Sequence, residues 1–186
     1  MTSPKKDAAI AIRIRRNFTG VDVSLPRLRK LVRIVCMRFG GRQGFEAYEI
    51  SIAIVDDAEI TKLNARFLAR SAATDCLSFD LSDAKTPHPD TLNSRILELI
   101  VNGEMAARQA ALRGHSGQAE LALYVTHGLL HNFGFDDCTP EQARKMHNAE
   151  DAILQELGYG SVYNKDIVGA APCGGPGQAR GPAPTV

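Results

Sequence analysis

Apolar and polar positions follow two periods along this chain, and their order lays out the elements. Residues 8–15 alternate apolar and polar toward their end, with Ile10, Ile12 and Ile14 on every second position, which is a strand pattern. Residues 25–39 switch to helical spacing. Pro26 suits a first turn, Leu28, Leu31, Val32, Val35 and Cys36 form one stripe, and Arg27, Lys30, Arg33 and Arg38 point elsewhere before Gly40-Gly41 ends the run. Residues 48–55 are rich in β-branched side chains and predict a second strand. Asp56-Asp57 then offers an N-cap to a helix running through Leu63 and Phe67. Residues 76–81 and 96–101 predict two more strands, with a Pro-containing polar loop over 83–94 between them. Three helices follow, over 103–112, 118–132 and 140–157, the last with Thr139 as its N-cap and Gly158 past its end.

This order predicts an α+β fold, a small mixed sheet of about four strands with helices packed on it. Composition changes near Gly160, where a Gly- and Pro-rich stretch has little to bury. The expectation is one domain over residues 1–160 and a disordered tail over 161–186, with no internal repeat.

The 44% hydrophobic content supports a real core. Cys36, Cys76, Cys138 and Cys173 are scattered without CxxC pairing, which points to a reducing compartment rather than a disulfide framework. The first residues lack the apolar core of a signal peptide, and no run approaches the ~20 apolar residues of a membrane span. A soluble, cytoplasmic protein is expected. The net charge of +1 hides an asymmetry: residues 1–42 carry 11 Lys and Arg against 2 acidic residues (+9), and the remainder 11 against 19 (−8). A basic lobe of this kind attracts an anionic polymer, although a basic first helix is also a common solvated surface.

The candidate chemistry lies at His127, His131 and Asp137. Two histidines four apart on a helix share a face, because a turn takes about 3.6 residues. On their own such pairs often bind nothing. Gly134 sits where a helix can end with positive φ, so the chain can turn back and present Asp137. The resulting HxxxHxxGxxD pattern is zincin-like, with Asp where a third His is usual. Two imidazoles and a carboxylate suit one Zn²⁺ ion with a position left for water. Asp136 and Cys138 flank the third position as alternative ligands, and spacing favours Asp137. The HExxH glutamate that serves a zinc peptidase as general base is here Gly128. A base must come from elsewhere, with Glu98, Glu104 and Glu120 as candidates that spacing alone does not separate from capping or surface carboxylates.

The run from His127 to Asp137 resembles the HGxLHLxGYDH signature of the YbeY family, bacterial metal-dependent endoribonucleases of ribosomal RNA maturation. It matches at His127, Gly128, Leu130, His131, Gly134 and Asp136, with Asn132 for Leu, Phe135 for Tyr and Asp137 for the last His. Leu63-Asn64 followed by Thr74-Asp75-Cys76-Leu77-Ser78-Phe79 is similar to the family's LN…TDVLSF segment, and Leu97–Val101 stands where the family has a GDIVI-like strand. The family's Arg four residues after the LN pair is here Leu68; Arg66 and Arg70, two residues to either side, are the candidates to contact phosphate in its place. The resemblance implies a zinc-dependent, single-strand endoribonuclease of ribosomal RNA processing at the small-subunit 3′ end. Its cleft would be bordered by basic residues, and its partner would be ribosomal RNA or a ribosomal subunit. The competing reading is a ribosome-associated RNA-binding factor whose metal is structural. A zinc peptidase comes third, disfavoured by Gly128.

Overall fold

The computed structural model describes residues 9–40, 45, 47–82, 94–160, 162–163 and 178–179. Strands β1 (Ala9–Arg16), β2 (Ala47–Val55), β3 (Cys76–Asp80), β4 (Ser94–Asn102) and the two-residue β5 (Gln178–Ala179) form one sheet in the order β1-β2-β4-β3-β5. β1, β2 and β4 run parallel, β3 pairs antiparallel with β4, and β5 lies parallel on β3. The expected mixed sheet of four strands is present, and the short β5 is an addition that composition did not suggest. Helices α1 (Leu25–Phe39), α2 (Asp57–Leu68), α3 (Gly103–Arg113), α4 (Gly117–Asn132) and α5 (Pro140–Glu156) complete the α+β fold. No helix among the described residues is long and apolar enough to cross a membrane.

The period-2 strands divide their side chains between two faces. One face carries Ile10, Ile12 and Ile14 of β1, Tyr48, Ile50, Ile52 and Ile54 of β2, and Leu97 and Leu99 of β4. It meets the apolar stripe of α1, the whole of α4, and Met146, Ile153 and Leu154 of α5. The other face holds a smaller core of Val55, Leu77, Phe79 and Ile100 under Ile60, Leu63, Phe67 and Leu68 of α2. α4 is the central element: every residue from Ala119 to His131 is buried. A helix buried all round must lie close on its sheet, and Gly128 makes that approach. A Cβ there would stand 2.6 Å from the Cys76 Sγ and 3.1 Å from the Leu99 side chain.

Helix starts are set by short polar side chains that accept otherwise unpaired first-turn N–H groups. Asp56 accepts from Glu59, Asn102 from Met105 and Ser116 from Ala119. Thr139 and Gln142 form a reciprocal capping box at α5. The loop expected over 83–94 lies outside the described residues except Ser94, which already belongs to β4. Of the tail expected over 161–186, only 162–163 and 178–179 are described. Val162 is buried in the larger core, so packing continues past the composition change at Gly160.

Candidate metal centre

α4 carries His127 and His131 on one face in its last turns. Their Nε2 atoms stand 3.2 Å apart and both residues are buried. The helix then stops in a Schellman turn: the Gly134 N–H donates to the His131 carbonyl and the Phe135 N–H to the Leu130 carbonyl, with Gly134 at φ +88°. Phe135 packs edge-on against Phe39 at the end of α1, with ring centroids 5.1 Å apart. The buried Arg95 of β4 donates to the Asn132 carbonyl at 2.5 Å and so anchors the C-terminal end of α4. The turn brings Asp137 back to the histidines, its Oδ2 4.0 Å from the His127 Nε2. One ligand atom from each of His127, His131 and Asp137 lies within 4.8 Å of the other two.

The flanking candidates have other placements. Asp136 accepts from the Asp137 N–H at 2.9 Å and from the Cys138 thiol at 3.1 Å, which stiffens the turn. Asp136, Asp137 and Cys138 also cluster closely enough to share an ion, with Cys138 exposed. Only Asp137 belongs to both groupings.

Both imidazoles are oriented from behind. The His131 Nδ1 faces the Phe135 carbonyl at 3.2 Å, and a carbonyl can only accept, so Nδ1 carries the proton. The His127 Nδ1 lies 2.6 Å from Oε1 of Glu150 on α5. Burial raises the Glu150 carboxyl, but its hydrogen bonds to His127 and His147 outweigh burial and hold it below the usual carboxylate range. It therefore accepts from His127. With Nδ1 of both rings turned to an acceptor behind it, the two Nε2 atoms, 3.2 Å apart, are the positions left to share a proton or a cation. Burial and the charge of His127 push His131 below the ordinary imidazole value. Burial pushes His127 down as well, but Glu150, Asp75 and Asp137 together turn the net shift upward. A position that favours positive charge, edged by Asp137, has the donor chemistry of a site for a divalent cation such as Zn²⁺.

The structure draws none of the three proposed base candidates into hydrogen-bond contact with these ligands. Glu104 accepts from the Asp57 N–H at 3.0 Å and caps α2. Glu120 is fully buried beneath Arg113 and His115. Glu98 stands on β4 opposite Phe79, on the strand face that carries the smaller core. Leu68 packs in that smaller core, while Arg66 and Arg70 are exposed at the end of α2. The carboxylate that does touch His127, Glu150, was not among the residues singled out by spacing. A signal was present: Glu150 falls in the apolar stripe of α5 with Met146, Ile153 and Leu154, a core-facing position where a lone carboxylate needs a reason.

A family profile described as endoribonuclease YbeY matches residues 13–158. The chain is 31% identical over 144 residues to endoribonuclease YbeY of Rhodococcus erythropolis, covering 75% of this chain and 78% of that protein. It is 34% identical over 116 residues to the Desulfitobacterium hafniense protein of the same name, covering 61% of this chain and 74% of that one. In fold it is similar to the solution structure of TM1509 from Thermotoga maritima, at a TM-score of 0.52 and 21% identity over 78% of this chain and 88% of that one.

Proposed function

This chain belongs to the endoribonuclease YbeY family, and from that premise we propose that it is a zinc-dependent, single-strand endoribonuclease. Its task is ribosomal RNA processing in the cytoplasm, at the 3′ end of the small-subunit RNA. The observation that carries this reading is the convergence of His127, His131 and Asp137 at the end of a fully buried helix. These three residues would hold one Zn²⁺ ion. When bound, such an ion supplies Lewis-acid polarisation of a phosphoryl oxygen and a water of lowered pKa.

The protein's own groups do the rest. The Nδ1 anchors at Glu150 and the Phe135 carbonyl keep both Nε2 atoms aimed at one point. Asp137 supplies negative charge where the family has a neutral imidazole, which leaves the loaded site less positive and its water less acidic. Lys30 and Arg33 are exposed one turn apart on α1, and phosphate contacts of this kind supply most non-specific affinity for RNA. Arg66 and Arg70 offer two further exposed cations beside Leu68, whose side chain serves packing instead. The peptidase reading weakens further, because position 128 has no carboxylate and no space for one.

The second reading, an RNA-binding factor of the ribosome with a structural metal, draws on Asp137 and Leu68 standing where the family has His and Arg. One experiment separates the two. The 3′ end of the small-subunit RNA is mapped in cells whose only copy carries His131→Ala. An unprocessed end, with the variant folded and at normal level, is the expected result. A correctly matured end would refute the nuclease reading and leave the binding role.

A further inference from the structure

Behind His127 stands a chain of contacts that leads away from the proposed ligands to the surface. Glu150 is fully buried, and its two oxygens are divided between two rings: Oε1 lies 2.6 Å from the His127 Nδ1 and Oε2 lies 2.9 Å from the His147 Nδ1. The His147 ring is stacked on Tyr163, with centroids 3.4 Å apart and planes 13° from parallel. Tyr163 is itself held in place, since the backbone N–H groups of Val162 and Tyr163 both donate to Oδ1 of the buried Asp151 at 3.1 Å. Adjacent residues of α5 thus do two tasks. Asp151 ties down the segment after the helix, and Glu150 faces α4.

A carboxylate removed from water is retained only where its charge and lone pairs are answered. Among the described residues, no Lys or Arg pairs with Glu150; its partners are the two imidazoles. It therefore lacks a permanent countercharge. A divalent cation on the far nitrogen of His127 would provide one across the ring, and the carboxylate in turn would fix which nitrogen is available and where it points. We infer that Glu150 is a positioning residue that aims His127 at the ion, and that His147, stacked under Tyr163, aims Glu150. This rests on the zinc reading proposed above and extends the site to residues past the end of α5.

The test uses the full chain, stripped of metal and titrated with Zn²⁺ against a chromophoric chelator, as wild type, Glu150→Gln, His147→Phe and His131→Ala. Glu150→Gln is expected to weaken zinc binding by about 10- to 100-fold. His147→Phe, which keeps the stack on Tyr163 and deletes the hydrogen bond, is expected to weaken it in the same direction by less. Metal-free unfolding midpoints are measured in parallel, because a purely structural Glu150 would shift those and leave zinc affinity of the folded protein untouched. Zinc affinities of Glu150→Gln and His147→Phe equal to wild type would overturn the inference while leaving the metal reading in place. Wild type that binds zinc no better than His131→Ala would overturn the metal reading and the inference with it. If Glu150→Gln does not fold, the decision passes to His147→Phe and to nitrogen-resolved NMR of the zinc-loaded wild type. There, a His127 ring without a proton on Nδ1 overturns the inference.

Discussion

Among the described residues two glutamates lie fully buried, Glu120 at the start of α4 and Glu150 within α5, and each faces two basic side chains. Glu120 pairs with Arg113 at 2.8 Å and with His115 at 2.5 Å. Its charge is answered by a guanidinium that never loses its proton, and it sits in the first turn of a helix, where the macrodipole also favours an anion. The Nδ1 of His115, on the far side of that cluster, is buried without a hydrogen-bond partner among the described residues. Among the described residues Glu150 has two imidazoles and no such cation, and one of them reaches on to His131 and Asp137. Equal burial therefore accompanies different roles. A buried carboxylate paired with Arg has a permanent countercharge, whereas one paired with imidazoles has a countercharge only while a ring is protonated or holds a cation.

The largest effect expected from breaking this contrast is at the first cluster. Arg113→Leu leaves Glu120 buried with no permanent countercharge, and stability should fall by about 3–5 kcal/mol in denaturant unfolding. The folded fraction should bind zinc as wild type does. A loss of under about 1 kcal/mol, the size found for exposed pairs, would show that His115 alone balances Glu120 and would erase the distinction between the two clusters.

A middle-sized effect is expected at the other end of α4. In Gly128→Ala the new Cβ meets the Cys76 Sγ and the Leu99 side chain. Overpacking of that kind costs about 1–3 kcal/mol, against which the helical preference of Ala over Gly returns up to about 1 kcal/mol. Thermal unfolding should show net destabilisation. A stabilised variant would mean that α4 has slack above the sheet and that the histidines are held less firmly than the contacts imply.

The smallest effect concerns a third, partly exposed carboxylate. Asp57 accepts from Arg108 at 2.9 Å and from Asn102 at 2.7 Å, and the hydrogen bond from Arg108 holds its pKa below the usual carboxylate value despite some burial. A depressed folded pKa means a contribution that is complete above the unfolded carboxylate pKa and fades as pH falls through the folded one. Solvent screening keeps it under about 1 kcal/mol. The stability gap between wild type and Asp57→Asn should be small at neutral pH and narrow on acidification. A gap that widens on acidification would contradict the assignment.

Local features of this protein were legible before any packing was known. The stripe Leu28, Leu31, Val32, Val35 and Cys36 marks α1, and the helix runs from Leu25 to Phe39 as the pattern predicts. Asp56 and Thr139 cap where short polar side chains should, and Gly134 takes the positive φ that its place after the histidines predicts. All of these depend on interactions within a few residues, where spacing and geometry are nearly the same thing. The grouping of His127, His131 and Asp137 was legible for the same reason, since one helical turn and one tight cap connect them.

What connects distant stretches was not legible. Alternation shows that β2 and β4 have an apolar face, but not that β4 lies between β2 and β3, nor that Gln178–Ala179 adds a fifth strand. Glu98, Glu104, Glu120 and Glu150 are chemically identical in the chain, and only the packing of α5 on α4 puts the last of them behind His127. Strands β1–β4, the five helices, the caps at Asp56 and Thr139 and the grouping of three polar side chains follow from local periodicity and backbone sterics, and the chain's pattern is enough to show them. Which carboxylate stands behind His127 and which pairs with Arg113 is settled by packing, because it depends on the groups brought near each one across 23 and 7 residues of chain respectively.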